Sequence, residues 1–247
     1  MLDAHCHIDL YSNPFHIALE TERRGIQTLA VTRLPSHFIE AHSHLLGYRY
    51  VWPALGFHPL LVSENFDEIS SLPKLLPLTR FIGEVGLDFC TQSLEERDRQ
   101  REVFEYLLSL IQGQNKILSI HSRRAEAEVL KLLIRYDCPK SIFHWYSGPL
   151  NVLQEIIEHG FYVSVNPQMF RTKTGLQIIK RIPADHILTE TDGPFIKVGN
   201  RAIQPADINQ AESALAELWQ TTAQQVSQII AGNFKRLQAQ NSFAVAS

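Results

Sequence analysis

A chain of 247 residues, 45 % of them hydrophobic, can bury one large core and is close to the about 250 residues of a single barrel domain. A formal net charge of −3 makes it no general polyanion magnet. Three cysteines provide no disulfide framework and suit a reducing compartment. The first residues carry Asp3 and lack the apolar stretch of a signal peptide, and no apolar run approaches the roughly 20 residues that span a bilayer. The expectation is one cytoplasmic domain over residues 1–247, with no membrane contact.

Short apolar, β-rich runs alternate along the chain with helical patterns. The first run, Leu2 to His7, sends His5 and His7 to one face and Cys6 to the other, by strand alternation. Two imidazoles on one face can share an ion, and Cys6 is read as a small buried hydrophobe. Runs two and three are Ile26 to Thr32 and Tyr50 to Phe57, the latter followed by His58 and Pro59. Between Ser63 and Pro77 the helical pattern is weakest, because Pro73 and Pro77 interrupt it.

The fourth run, Phe81 to Leu87, holds Glu84 between glycines in an apolar stretch. A buried carboxylate is unfavourable unless paired or metal-bound, and its two oxygens can serve two ions. Next comes the clearest helix, opening at Ser93 with Glu96 at capping-box spacing. Its apolar face runs through Val103, Phe104, Leu107, Leu108 and Ile111, and its charged residues, Glu95 to Arg101, are read as a solvated surface. Runs five and six, Ile117 to His121 and Ser141 to His144, each end in an imidazole with a polar loop directly after it. Run seven is Gly160 to Val165; run eight, Ile187 to Glu190, leads into Asp192 before a Gly-Pro turn. Helices over Pro205 to Leu218 and Thr222 to Leu237 close the chain.

Eight strands with crossover helices and no long linker predict a single (β/α)8 barrel, a TIM barrel. In that architecture every strand finishes at one rim, where active sites are built. His5, His7, Glu84, His121, His144 and Asp192 then converge. Six nitrogen and oxygen ligands are too many for one catalytic zinc and suit two divalent ions, Mg, Mn or Zn, with four imidazoles leaning away from magnesium. Asp192 and Glu84 are the candidate catalytic groups, Asp192 as the base that takes a proton from an activated water.

With these residues assembled, the chain resembles the TatD family of metal-dependent deoxyribonucleases. The matching motifs are Asp3 to Asp9, Gly56-Phe57-His58-Pro59, Gly83 to Asp88, His121-Ser122-Arg123, His144 with Ser147-Gly148, Glu190-Thr191-Asp192 with Pro194, and Asn233. The resemblance implies a TIM barrel of the metal-dependent hydrolase type and hydrolysis of DNA phosphodiesters, commonly trimming single strands from the 3′ end. It implies that His5, His7, Glu84 and Asp192 hold one ion and Glu84, His121 and His144 the other, with His58 touching substrate phosphate or a further ion. Leu60, Phe89-Cys90 and Trp145-Tyr146 depart from the family pattern without removing a ligand. Around His5 to Tyr11, Ile117 to Arg124 and Leu188 to Phe195 the chain is similar to the TatD-like members (QatD) of Qat anti-phage defence systems. That narrower likeness implies bacterial origin and action beside an ATPase and a QueC-like protein.

The mechanism expected is attack on phosphorus by a hydroxide bridging two cations. Arg123, Arg124, Arg171, Lys173, Lys197 and Arg201 are expected just beyond strand ends, where they can meet phosphates. Phe57, Trp145, Tyr146 and Phe195 can stack unpaired bases, with His58, Arg123 and Tyr146 taken as the substrate-binding set. Two alternatives stand beside this reading: a two-metal hydrolase of an amide, ester or modified protein, and a non-catalytic partner in a defence complex. The fourth strand offers Glu84 and no lysine to carbamylate, which favours phosphodiesters.

Overall fold

The structure, a computed structural model, describes residues 1–240. All eight expected strands are present and parallel, in the order in which they occur along the chain. They are β1 (Leu2–Cys6), β2 (Gln27–Val31), β3 (Val51–Phe57), β4 (Phe81–Gly86), β5 (Ile117–His121), β6 (Ser141–His144), β7 (Tyr162–Val165) and β8 (Ile187–Thr189). Every residue of β1 and of β4 is buried, as expected of parallel strands covered on both faces. The crossovers carry α1 (Pro14–Arg23), α2 (Pro35–Leu45), α3 (Leu72–Leu75), α4 (Leu94–Ile111), α5 (Glu126–Arg135), α6 (Leu150–Glu158) and α7 (Lys173–Ile179). Two terminal helices, α8 (Asn209–Trp219) and α9 (Ala223–Ala239), follow β8. Among the described residues, no helix is long and apolar enough to cross a membrane.

Local chemistry accounts for the helix boundaries. Ser93 caps α4 by accepting the Glu96 amide at 3.2 Å, but the Glu96 carboxylate bonds the Thr91 hydroxyl rather than returning to Ser93. The capping box is therefore half formed at Ser93 and fully formed at Thr222, where Gln225 completes it for α9. The proline-interrupted third crossover breaks into 3-10 turns at Phe66–Ser71 and Leu76–Leu78 around the four-residue α3.

The barrel is nearly closed, and its seam between β8 and β1 is stitched largely by side chains. Thr189 donates its hydroxyl to the Leu2 carbonyl at 2.6 Å. The Thr191 amide and hydroxyl both donate to the Asp3 carboxylate, at 2.9 and 2.6 Å. Past the strand ends, the Asp192 amide reaches the His5 carbonyl at 2.9 Å and the His7 amide reaches the Gly193 carbonyl at 2.8 Å. These last two bonds hold the β8 loop against β1 and so set where Asp192 stands.

Candidate metal centre

Strand alternation and the common rim deliver the expected side chains to one place. His5 and His7 leave the same face of β1, with their Nε2 atoms 3.3 Å apart, while Cys6 packs outward with Ile8, Ile17 and Ala30. From β4, Glu84 reaches the centre of the group. Its Oε2 lies 3.1 Å from His7 Nε2 and 3.7 Å from His5 Nε2. Its Oε1 lies 2.7 Å from His121 Nδ1, 3.0 Å from His144 Nε2 and 3.5 Å from His58 Nε2. Asp192 Oδ1 sits 3.7 Å from His5 Nε2 on the other side. One carboxylate thus turns its two oxygens toward two different sets of imidazoles.

Three compact groups of ligand atoms emerge: His5, His7 and Glu84; His5, His144 and Asp192; and His58, Glu84 and His121. His144 stands between the sets, stacked on His5 at 3.8 Å between ring centres while its Nε2 also faces Glu84.

Two of the imidazoles, His5 and His121, are hydrogen-bonded on their far side, and a third, His144, faces a carboxylate there. Ser119 on β5 sits 2.8 Å from His5 Nδ1, which leaves His5 Nε2 free to face the centre. Asp88 Oδ2 sits 2.9 Å from His121 Nε2, leaving Nδ1 to face Glu84. Glu190 Oε1 lies 3.7 Å from His144 Nδ1 and is itself held by the Asn166 side-chain amide at 2.9 Å. His58 behaves differently. Its Nδ1 accepts the Leu60 amide at 3.2 Å, so the neutral ring carries its proton on Nε2, the atom that faces the cavity. A donor nitrogen suits a phosphate oxygen better than a cation, and this sets His58 apart from the other imidazoles.

The backbone is shaped to match. Gly86 adopts φ +138, and a Cβ there would lie 1.9 Å from the His121 carbonyl oxygen, so only glycine lets β4 and β5 approach this closely. Just after β6 and β8, Trp145 and Asp192 take left-handed φ values of 37 and 47, turning the chain away directly behind the ligand positions.

Burial and mutual charge dominate the electrostatics. Burial, with the charge of His144, holds the His5 imidazole well below its usual range and so in its neutral, ligating form. Burial alone would raise Glu84, yet the imidazoles of His58, His144 and His121 outweigh it and hold the carboxyl well below its usual value. Asp192 goes the other way: burial pushes it well above the carboxylate range against the pull of His144, and Glu190, Glu84 and Asp3 add to the rise. Asp88, opposed by burial, is still drawn down to about 2 by the His121 ring and the Cys90 amide.

A divalent cation fits this set. Among the described residues, Glu84, Glu190 and Asp192 are buried together with no lysine or arginine as an ion-pair partner, and the facing Nε2 atoms of His5 and His7 can both offer lone pairs only to a cation. A mixed imidazole and carboxylate set suits zinc, manganese or iron. The group lies at the floor of a cavity of about 700 Å³, lined also by Arg33, Leu60, Arg123, Trp145 and Phe195.

A family model described as TatD related DNase matches residues 2–238, which is nearly the whole chain. The chain belongs to the TatD-related DNase family. It is a metal-dependent hydrolase of the TatD type. The human deoxyribonuclease TATDN3 is 25 % identical over 261 residues, covering 96 % of this chain and 94 % of the relative. An uncharacterized metal-dependent hydrolase of Bacillus subtilis, YabD, is 29 % identical over 77 % of this chain and 78 % of its own length. In fold, the barrel superposes on the TatD homologue YJJV of Escherichia coli with a TM-score of 0.85, at 22 % identity over 96 % of this chain and 97 % of that one.

All six expected ligands therefore meet. Tyr146 does not join them: it is buried in the core, edge-on to Phe143, with its hydroxyl donated to the Pro149 carbonyl at 2.7 Å. Its assignment to substrate is corrected, and the reason is the left-handed turn at Trp145, after which Trp145 lines the cavity and Tyr146 does not. Phe57 is likewise buried, whereas Phe195 is 57 % exposed at the mouth. Of the expected phosphate contacts, Arg123 lines the cavity; Arg124, Arg171, Lys173 and Lys197 are not among its walls, and Arg201 is paired with Asp207 at 2.6 Å. Arg33 was not expected, although it lies two residues past the end of β2 and the same strand-end rule points to it. Asp88, Ser119 and Glu190 were also missed as orienting groups, because nothing in a single strand reveals which histidine it will face.

Proposed function

We propose that the chain hydrolyses phosphodiester bonds of single-stranded DNA, trimming from the 3′ end, with two divalent cations held by His5, His7, Glu84, His121, His144 and Asp192. The observation that carries this reading is Glu84, whose two oxygens face separate imidazole sets as a bridging ligand requires. Cations bound there supply Lewis acidity at the phosphoryl oxygens and a water acidic enough to deprotonate near neutral pH.

The protein's own groups do the rest. His58 presents its Nε2 proton into the cavity, and Arg123 and Arg33 present guanidinium groups to the phosphates on either side of the scissile bond. Trp145 and Phe195 at the mouth give two aromatic faces for unpaired bases, each stacking contact contributing roughly 1–3 kcal/mol. Asp192, whose Oδ1 stands 3.7 Å from His5 Nε2 at the edge of the ligand group, is placed to take the proton of the attacking water.

The test is degradation of 3′- and 5′-labelled single-stranded DNA with and without added divalent cation. Cation-dependent loss of the 3′ label, abolished by Glu84→Gln and by Asp192→Asn, is expected; undiminished cleavage by both variants overturns the reading. The narrower likeness to Qat components supports a place in anti-phage defence beside an ATPase and a QueC-like protein. There, Glu84→Gln is expected to abolish protection in plaque assays, and full protection by that variant would favour a non-catalytic role instead.

A further inference from the structure

Of the charged stretch Glu95 to Arg101, read from the sequence as a solvated surface, Arg99 fits that reading, paired with Glu95 at 3.0 Å one turn away. Arg97 does not. It turns back from α4 into the loop that joins β4 to this helix, residues 87–93. Its Nη2 donates to the Phe89 carbonyl at 3.1 Å and to the Thr91 carbonyl at 2.6 Å, and its Nε donates to the Thr91 carbonyl at 3.0 Å. Two guanidinium groups also pack on the Phe89 ring, with the Arg97 Cζ atom 5.3 Å and the Arg101 Cζ atom 4.8 Å from its centre. Arg101 is pinned in turn by Asp98 at 2.6 Å and by Glu128 of α5.

What this loop holds is the backbone of Arg123. The Phe89 amide donates to the Arg123 carbonyl at 2.9 Å, and the next amide, that of Arg124, donates to Glu126 Oε1 at 3.2 Å. The main chain is therefore fixed on that side of Arg123, while the Arg123 side chain is exposed and lines the active-site cavity. The metal end of the same loop has a separate anchor, because Gln100 Oε1 accepts the Asp88 amide at 2.8 Å. So α4 carries two supports: Gln100 for Asp88, which faces His121, and Arg97 for Phe89, which faces Arg123. A long cationic side chain loses rotamer freedom when it clasps a phosphate, and a backbone already held in place reduces what must be ordered.

We propose that Arg97 is a positioning residue for substrate: through Phe89 it sets where Arg123 meets a phosphate of the DNA strand. Arg97 is not a wall of the active-site cavity, so it acts through its neighbours and not by contact. The proposal takes its substrate from the phosphodiesterase reading and adds a residue outside the cavity that governs affinity while leaving the chemistry alone.

The test is a double-mutant cycle on Arg97 and Arg123. It is read by equilibrium binding of a fluorescein-labelled single-stranded oligonucleotide in chelator, and by KM and kcat with divalent cation. Arg97→Ala is expected to weaken binding and raise KM roughly 2- to 12-fold, the cost of ordering one long side chain, with kcat and metal content unchanged. On an Arg123→Ala background the same substitution is expected to change nothing further. Arg97→Lys, which keeps the charge and can reach one carbonyl, is expected to recover part of the loss. Arg99→Ala removes the same charge from the same helix and is expected to bind as the wild type does.

Wild-type affinity in Arg97→Ala overturns the proposal, as does an equal loss on the Arg123→Ala background or in Arg99→Ala. Loss of metal from Arg97→Ala overturns it too, since Arg97 would then act through the metal centre, and so does a wild-type chain that binds no oligonucleotide. Intact coupling in the binding cycle, with no cleavage of any oligonucleotide by any divalent cation, overturns the phosphodiesterase reading and leaves Arg97 in its role.

Discussion

Asp88 Oδ2 stands 2.9 Å from His121 Nε2, while the other nitrogen of that ring, Nδ1, stands 2.7 Å from Glu84 Oε1. The carboxylate accepts a hydrogen bond from Nε2–H, and when a cation stands between Nδ1 and Glu84 that bond would hold the tautomer whose Nδ1 lone pair faces the cation. Removing such a partner typically weakens metal affinity about 10- to 100-fold. Asp88→Ala is expected to do so in a zinc or manganese titration, with an unchanged far-ultraviolet circular dichroism spectrum. Asp88→Asn, whose amide oxygen can still accept that hydrogen bond, should lose less. Equal affinity in Asp88→Ala and wild type would show that Asp88 does not orient the ligand.

His58 separates substrate binding from metal binding. Because its Nδ1 is occupied by the Leu60 amide, His58→Ala should leave metal content unchanged and raise KM for DNA roughly tenfold, the worth of one hydrogen bond to a charged group. Loss of bound metal measured by elemental analysis of this variant would make His58 a ligand after all.

The barrel seam gives a stability prediction. Asp3 is buried, receives two bonds from Thr191 and one from the His5 amide at 3.3 Å, and sits where β8 and β1 meet. Thr191→Val removes the hydroxyl and leaves one carboxylate oxygen without its donor, at a cost of about 1–3 kcal/mol. A lower midpoint in urea denaturation at unchanged slope is the expected result. A midpoint within error of wild type would mean that the seam is held elsewhere.

Metal binding should stabilise the fold, since ligands from five strands are joined through it. At a cation concentration one hundred times the dissociation constant, the gain is about 2.7 kcal/mol, read as a rise in Tm that a chelator reverses. Glu84→Gln, which weakens the residue shared by both imidazole sets, is expected to shrink that rise. A full rise in the variant would argue that Glu84 does not bridge.

Gly86→Ala is expected to fail to fold or to express as insoluble protein, because the new Cβ would fall 1.9 Å from a β5 backbone oxygen that cannot move without breaking the strand pairing. Soluble, cooperatively unfolding Gly86→Ala protein would show that β4 and β5 can separate.

Much of the site was legible in the chain because barrel geometry turns a one-dimensional property, being the last residue of a strand, into a shared location. His121 and His144 end their strands where the apolar runs end, and His5 and His7 share a face because strand side chains alternate. The same rule applied to Thr32 would have pointed to Arg33. It misplaced Tyr146 because alternation ends with the strand: the left-handed Trp145 reverses which of two neighbouring aromatics meets solvent.

By itself the sequence determined the eight strands, the six residues fit to hold cations and the family, since apolar period and residue chemistry are local properties. Only the tertiary structure decided that Glu84 turns one oxygen to each imidazole set, that Asp88, Ser119 and Glu190 aim the histidines, and that Arg97 and Phe89 hold the backbone of Arg123. Those pairings join residues far apart along the chain, and their distances and hydrogen-bond directions exist only once the barrel has brought the strands together.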